Sequence, residues 1–422
     1  MDRKRKESTD RMPTPLLIFS DAPSAKSGLA RITRDIATRI ATKMSDQFFV
    51  ATIGYGAPGS IELPFFQYSW NMRDDFHIPE LPEIWNDFTR GEPGILLTIQ
   101  DPSRVLWLSD PQFGQIPSLS KWVKQMRDTG MMRLWGYFPL DAVGVNGKLT
   151  PQLAHTIAGY DRRLMYTKWA ERIVKDSLSE FGEAEVESIP HGIDTEVFTA
   201  YDRRICKRDF GSLIESAKPI SIPLEALAIG IVATNQRRKD WGLAAQVIAQ
   251  IAKEREVFVW AHTDALKREW SILELFSDLG LLNRTAVTTH NFSNERMSQL
   301  YSAMDITLGI GMSEGFGYPI FESIACGVPV IHCDYGGAAE FLPCWMKIKP
   351  DIMRVEGPFN FMRPVFEPAS WVTAINTALR NPNETVLPPE LNWDNLWPRF
   401  EKWFLDGINE PIPTILTRSA IQ

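Results

Sequence analysis

Two glutamates, Glu314 and Glu322, stand eight positions apart in the stretch SEGFGYPIFESIACGVPVI, which runs from Ser313 to Ile331. Between them lie Gly315, Phe316, Gly317, Tyr318, Pro319 and Phe321. Pro319 suits the first turn of a helix, where its missing N–H has no partner to lose. Gly327 suits the exit, and Pro329 blocks continuation. The spacing predicts a short helix over 319–326, fed by a glycine loop. Such a loop exposes backbone N–H groups and the positive end of the helix dipole, a natural seat for phosphate. Glu314 precedes the loop and Glu322 lies in the first turn, so both can face one ligand. Carboxylates accept strongly from vicinal hydroxyls. One can hold a ribose and the other a sugar, with a diphosphate between. A second cluster, Arg237-Arg238-Lys239, could neutralise that diphosphate. Singly, each feature has an ordinary reading: a first-turn glutamate complements the dipole, and a basic turn is solvated.

These loops need strands and helices to present them. Leu16–Ser20 is an apolar run that reads as a buried strand. Leu29, Ile32, Ile36 and Ile40 then recur at helical spacing, with Gly28 at the helix entrance. Thr167 is placed to cap a later helix and Gly182 to end it. Periodicity lapses over 199–223 and restarts as strand and helix alternate from Ala226 to Asp334, with one helix read over 267–280. The pattern predicts the α/β class: two doubly wound, Rossmann-like domains facing a cleft, with ligands beyond the carboxyl ends of the strands. The expected divisions are a flexible tail over 1–14, an N-terminal domain over 15–205 and a C-terminal domain over 206–390. A tryptophan-rich helix that crosses back, with a tail, fills 391–422.

The composition fits a soluble globular chain, with 44% hydrophobic and 23% charged residues. A net charge of −7 gives no electrostatic footing for tight nucleic-acid binding. Cys206, Cys326, Cys333 and Cys344 form no C-x-x-C pair; they read as free thiols in a reducing, cytoplasmic setting, without zinc. No apolar run is long enough to span a membrane. Peripheral membrane contact stays open, although the basic cluster Arg3–Lys6 reads as a solvated tail. The 14 tryptophans read mostly as core. His77, His155, His262, His290 and His332 read as structural, and no hydrolase, zinc-protease or ATPase signature occurs.

Taken whole, EGFGYPIFESIACGVPVI resembles the Glu-x7-Glu segment of the retaining glycosyltransferases of family four, which have the GT-B fold. Other stretches are similar to that family in the same order: SAKSGLAR with Gly28 and Arg31, IPHGIDTEVF with His191 in place of asparagine, the basic turn in IVATNQRRKDWGLAAQVI, and DYGGAAEF. The resemblance implies that Glu314 binds the donor sugar and Glu322 the ribose. The backbone of Gly315, Phe316 and Gly317 would lie along the phosphates and sugar. Arg238 and Lys239 would neutralise the leaving diphosphate, and Gly28 would let the N-terminal loop approach it. It also implies a metal-independent retaining transfer from a nucleotide-diphosphate sugar, of UDP or GDP type, with no cofactor beyond that donor.

The chain departs from the family in places. Asn235 stands near a position where the family often has arginine, so Asn235 joins the donor-site residues while Arg237 stands by as the replacement cation. Lys26 and Ser27 replace the usual double glycine. Asp141 stands where the family often has a histidine near the sugar; it could contact donor or acceptor, or merely stabilise its own turn. The expected acceptor is a glycan, lipid-linked sugar, protein or modified nucleobase. Two rivals share the fold: a nucleotide-sugar epimerase and a non-catalytic sugar-nucleotide-binding module.

Overall fold

The computed structural model describes residues 12–25, 27–55, 62–68, 78–109, 116–182, 184–357, 359–380 and 385–410. The cluster Arg3–Lys6, Lys26, His77 and the tail from Pro411 lie outside them. The first sheet holds seven parallel strands: β1 (Thr14–Asp21), β2 (Phe48–Tyr55), β3 (Phe66–Tyr68), β4 (Gly94–Ile99), β5 (Met132–Phe138), β6 (Arg162–Met165) and β7 (Glu187–Ser188). Their order is β3-β2-β1-β4-β5-β6-β7. The second holds six: β8 (Leu227–Val232), β9 (Val257–His262), β10 (Thr285–Thr288), β11 (Ile306–Gly309), β12 (Val330–Cys333) and β13 (Lys347–Ile348), in the order β10-β9-β8-β11-β12-β13. Strand order reverses between β1 and β4, and again between β8 and β11. Each sheet therefore opens a crevice at the carboxyl ends of those strands.

The central strands form because their residues are apolar on both faces, as a sheet covered by helices on both sides requires. All six residues of β4 are buried. The helix Gly28–Lys43 turns Ile32, Ile36 and Ile40 inward, and Ser27 Oγ caps it by accepting from Ala30 N at 3.0 Å. Thr167 caps Lys168–Leu178 in the same way, accepting from Ala170 N at 3.1 Å.

From Thr199 the chain packs on the second half: Thr199 N donates to Ser298 Oγ at 3.1 Å, and Lys207 Nζ meets Asp305 at 2.7 Å. The last described helix, Trp393–Asn409, returns to the first sheet. Its Trp403 and Phe404 rings meet Trp135 and Phe48 at 5.2 and 5.7 Å, and Arg133 Nη1 donates to Gly407 O at 2.7 Å.

Two features depart from expectation. The stretch 267–280 is helical only over Ile272–Asp278. Asn235 takes the N–H of Trp270 on its Oδ1 at 2.9 Å and donates to the carbonyls of Ala265 and Trp270, which holds 265–270 as a loop. The other feature is an antiparallel hairpin, β14 (Ile352–Glu356) and β15 (Phe361–Val365), that belongs to neither parallel sheet. It reaches the first half, where Met362 N donates to Val143 O at 2.8 Å. A further tie runs the other way across the cleft. The Glu340 carboxylate accepts from Lys168 N at 3.1 Å and Trp169 N at 2.6 Å, so one half caps a helix of the other.

The helix Trp393–Asn409 is seated through a glycine. A Cβ at Gly407 would stand 2.4 Å from the Trp135 ring. Gly407→Val is expected to destabilise the chain by about 1–3 kcal/mol in urea unfolding, the usual cost of overpacking. An unchanged midpoint would mean that this helix end is not seated on Trp135.

Candidate active site

The two glutamates are presented by the loop after β11 and the helix Tyr318–Ala325. Gly317 enters that helix at φ +85°, where a side chain is strained, and a Cβ there would stand 2.9 Å from Ile320. Behind the loop, Gly336 and Gly337 allow a backbone-to-backbone approach. Glu314 forms an isolated parallel bridge with Gly336, and a Cβ at Gly337 would lie 2.2 Å from the carbonyl oxygen of Gly315. Gly315 in turn faces Pro139 of the first half, at 3.1 Å from where its own Cβ would be.

Glu314 points at the turn Arg237–Lys239 that follows β8. Its carboxylate pairs with Lys239 Nζ and accepts from Arg238 Nη1 at 3.2 Å. The turn is pinned there, since Arg238 Nη1 also donates to Ser313 O at 3.2 Å and Met312 N donates to Arg238 O at 2.7 Å. Burial alone would raise the Glu314 carboxyl, but Lys239 and Arg238 outweigh it and hold it at about 2. Burial, together with Arg238, lowers the Lys239 ammonium against the pull of Glu314. A pocket walled by Ala233, Gly309, Gly317 and Ile320 opens beside Lys239 and Glu314.

Glu322 is also paired, by a cation from the other half. Arg31 Nη1 donates to Glu322 Oε1, and Tyr301 OH donates to Glu322 Oε2 at 2.8 Å. Burial opposes the Arg31 charge; Glu322, Tyr318 and Asp35 outweigh it and keep the guanidinium charged. Gly28 is exposed, and a Cβ there would meet only Tyr318, at 3.9 Å. The space beside it stays open to a ligand.

The other expected residues separate. Phe316 is buried among aromatic rings, 4.7 Å from His191 and 5.5 Å from Tyr318. His191, in the asparagine position, bonds Tyr137 OH at 2.9 Å, and burial together with nearby Arg31 keeps its imidazole neutral. Asn235, expected among the donor-site residues, is fully buried, and its amide hydrogen-bonds the 265–270 loop. Arg237 is 73% exposed in its side chain and leans toward Glu356 at 3.6 Å, away from Glu314.

Asp141 reaches the cluster through a residue the sequence did not single out. Arg363 on β15 meets Asp141 at 3.4 Å and donates to Ser313 Oγ at 2.6 Å, next to Glu314. Tyr301 was also missed. FMRPV shows no alternation of polarity, so no periodic signal marked Arg363.

Residues 271–343, which contain Glu314 and Glu322, match the family described as glycosyl transferases group 1. The D-inositol 3-phosphate glycosyltransferase of Mycobacteroides abscessus is 26% identical over 179 residues, 42% of this chain and 38% of that protein. An uncharacterized glycosyltransferase of Sulfolobus islandicus rod-shaped virus 1 is 31% identical over 114 residues, 25% of this chain and 31% of that one. The chain thus spans well under half the length of the curated relatives it matches. Among solved structures, sucrose-phosphate synthase from Thermosynechococcus elongatus superposes with a TM-score of 0.67, covering 94% of this chain and 99% of that one at 16% identity. The fold is GT-B. Anabaena Alr3699/HepE, solved in complex with UDP and glucose, gives 0.63 over 94% of this chain and 99% of its own, at 14% identity. In GT-B terms, Glu314, Glu322, Arg238 and Lys239 belong to the C-terminal Rossmann-like unit, and Gly28, Arg31 and Asp141 to the N-terminal one.

Linkage gives the Glu314 pairing a pH signature. A carboxyl held at about 2 against an ordinary 4.5 contributes stability that is complete above pH 4.5 and is lost as the pH falls toward 2. The gap in melting temperature between wild type and Glu314→Gln should therefore be constant above about pH 5 and narrow below it. A gap that ignores pH in this range would contradict the pairing.

Proposed function

We propose that this chain is a retaining, metal-independent glycosyltransferase that moves a hexosyl or pentosyl group from a nucleotide-diphosphate sugar to an acceptor hydroxyl. The observation that carries the reading is the compact cluster of Glu314, Arg238 and Lys239 at the β8/β11 crevice, with Asp141 of the other half close by. The family match over 271–343 supports it.

The internal pairs suggest how the donor enters. Its diphosphate takes over Arg238 and Lys239 from Glu314, and the released carboxylate accepts from hydroxyls of the donor sugar. The ribose hydroxyls take Glu322 from Arg31, whose charge turns to the phosphates beside Gly28. As the bond from the anomeric carbon to the phosphate oxygen breaks, negative charge grows on the leaving diphosphate. The two fixed cations and the N-terminus of the helix Tyr318–Ala325 stabilise it, which is the work a metal would otherwise do. The acceptor oxygen bonds the anomeric carbon on the same face, and its proton passes to the leaving phosphate oxygen. No protein nucleophile is needed. Contact between the two halves keeps water from competing.

UDP heads the donor list because a structural neighbour was solved with it, and GDP follows. A starch synthase neighbour bound ADP, so adenine belongs in any screen. The leaving-group cations argue against a module that only binds. An epimerase would interconvert free nucleotide sugars without an acceptor, which chromatography of the products separates from transfer.

One of UDP, GDP, ADP or dTDP is expected to raise the melting temperature of the purified chain, and Glu322→Ala should abolish that shift. No shift with any of the four would remove the donor site. With the donor so identified, Glu314→Ala should cut turnover by about 100-fold or more while the fold survives, and EDTA should leave wild-type turnover intact. Near-normal turnover in Glu314→Ala would take that residue out of the site, and a strict metal requirement would refute the leaving-group argument.

A further inference from the structure

The hairpin β14–β15 does more than join the halves. On its outer side a groove opens between the hairpin turn and the N-terminal unit. Val145, Asn146, Thr150 and Gln152 line it from one side, and Phe359 and Asn360 from the other. None of the groove's lining residues is charged. Thr150 Oγ1 is buried there without a hydrogen-bond partner among the described residues.

This groove connects to the Glu314 cluster by a chain of contacts. The Phe359 and Phe361 rings are 5.7 Å apart. The Arg363 guanidinium lies 5.4 Å from the Phe361 ring, and Arg363 reaches both Asp141 and Ser313 Oγ. Phe361 also bridges Gly144, so the wall of the groove and the hairpin share backbone contact.

Resting on the transferase reading above, we infer that the groove binds a neutral sugar ring of an oligosaccharide acceptor, beyond the ring that carries the reacting hydroxyl. An uncharged lining disfavours a phosphate or carboxylate, which would lose water with no cation to meet it. Three amide side chains and one orphan hydroxyl offer both donors and acceptors, the mixture that vicinal hydroxyls need. The Phe359 ring supplies an apolar face for the C–H side of a pyranose, as pockets with few polar groups on an apolar wall commonly do. Phe361 and Arg363 stand between Phe359 and Asp141, so a ring on Phe359 is not the ring that reacts, and the acceptor carries at least two. Asp141 and Arg363 then sit where the acceptor passes toward Glu314, and Arg363 is a positioning residue.

The test uses the full chain, saturated with the nucleotide diphosphate that stabilises it, on an array of neutral and anionic mono- and oligosaccharides. Neutral glycans of two or more rings should be retained. Phe359→Ala and Thr150→Val should each weaken retention, by about tenfold for the aromatic change. The nucleotide-induced melting shift of both variants should match wild type, which shows that they fold. Retention of anionic glycans alone, of no glycan, or equally by wild type and both variants would overturn the inference. Absence of any nucleotide shift in wild type would instead strike the donor reading, so the two failures are distinguishable.

Discussion

A carboxylate taken out of water must be met by a cation, or it gives up its charge. The cleft of this chain is organised around that requirement. Glu314 is compensated from within its own half by the turn after β8, and Glu322 from across the cleft by Arg31. Removing one partner of such a pair typically costs about 3–5 kcal/mol, because the other charge is left stranded. Pairing therefore fixes the distance between the β8 turn and the β11 loop. It also fixes the seat of the helix Gly28–Lys43 against the helix Tyr318–Ala325. The same groups would suit the donor proposed above: its diphosphate and ribose would offer the cations and carboxylates equivalent partners, so binding would exchange internal pairs without creating new buried charge.

Much of this was legible in the residues. Pro319, Gly327 and Pro329 punctuate the helix of the glutamate segment, and the structure places it within a residue of the expected bounds, at Tyr318–Ala325. Apolar runs mark the central parallel strands, and Thr167 caps the helix it was placed to cap. What the residues did not reveal has physical causes. Asn235 lies close in sequence to Arg238 and Lys239, but hydrogen bonds to a loop about thirty residues on determine where its amide points. Arg363 sits 222 positions from Asp141, in a stretch of mixed polarity, and only the crossing of the hairpin brings the two together. Long-range pairing of this kind leaves no periodic trace in a single sequence.

The glycines of the site divide by what they accommodate. Gly315, Gly317, Gly336 and Gly337 lack side chains because other parts of the protein already occupy the space or the backbone angle demands it. Gly28 is different, with only ordinary contact nearby. Its small size leaves room that the folded chain does not use. That contrast distinguishes a glycine required by packing from one that keeps a surface clear.

The cap that Glu340 places on Lys168 and Trp169 has a consequence for motion. Among the described residues, two backbone amides of one half are hydrogen-bonded only by the other half. Each separation of the halves releases those two protons to solvent, and each return shields them again. Their exchange with deuterium is therefore a gauge built into the backbone, reporting how readily the cleft opens independently of whether any sugar moves.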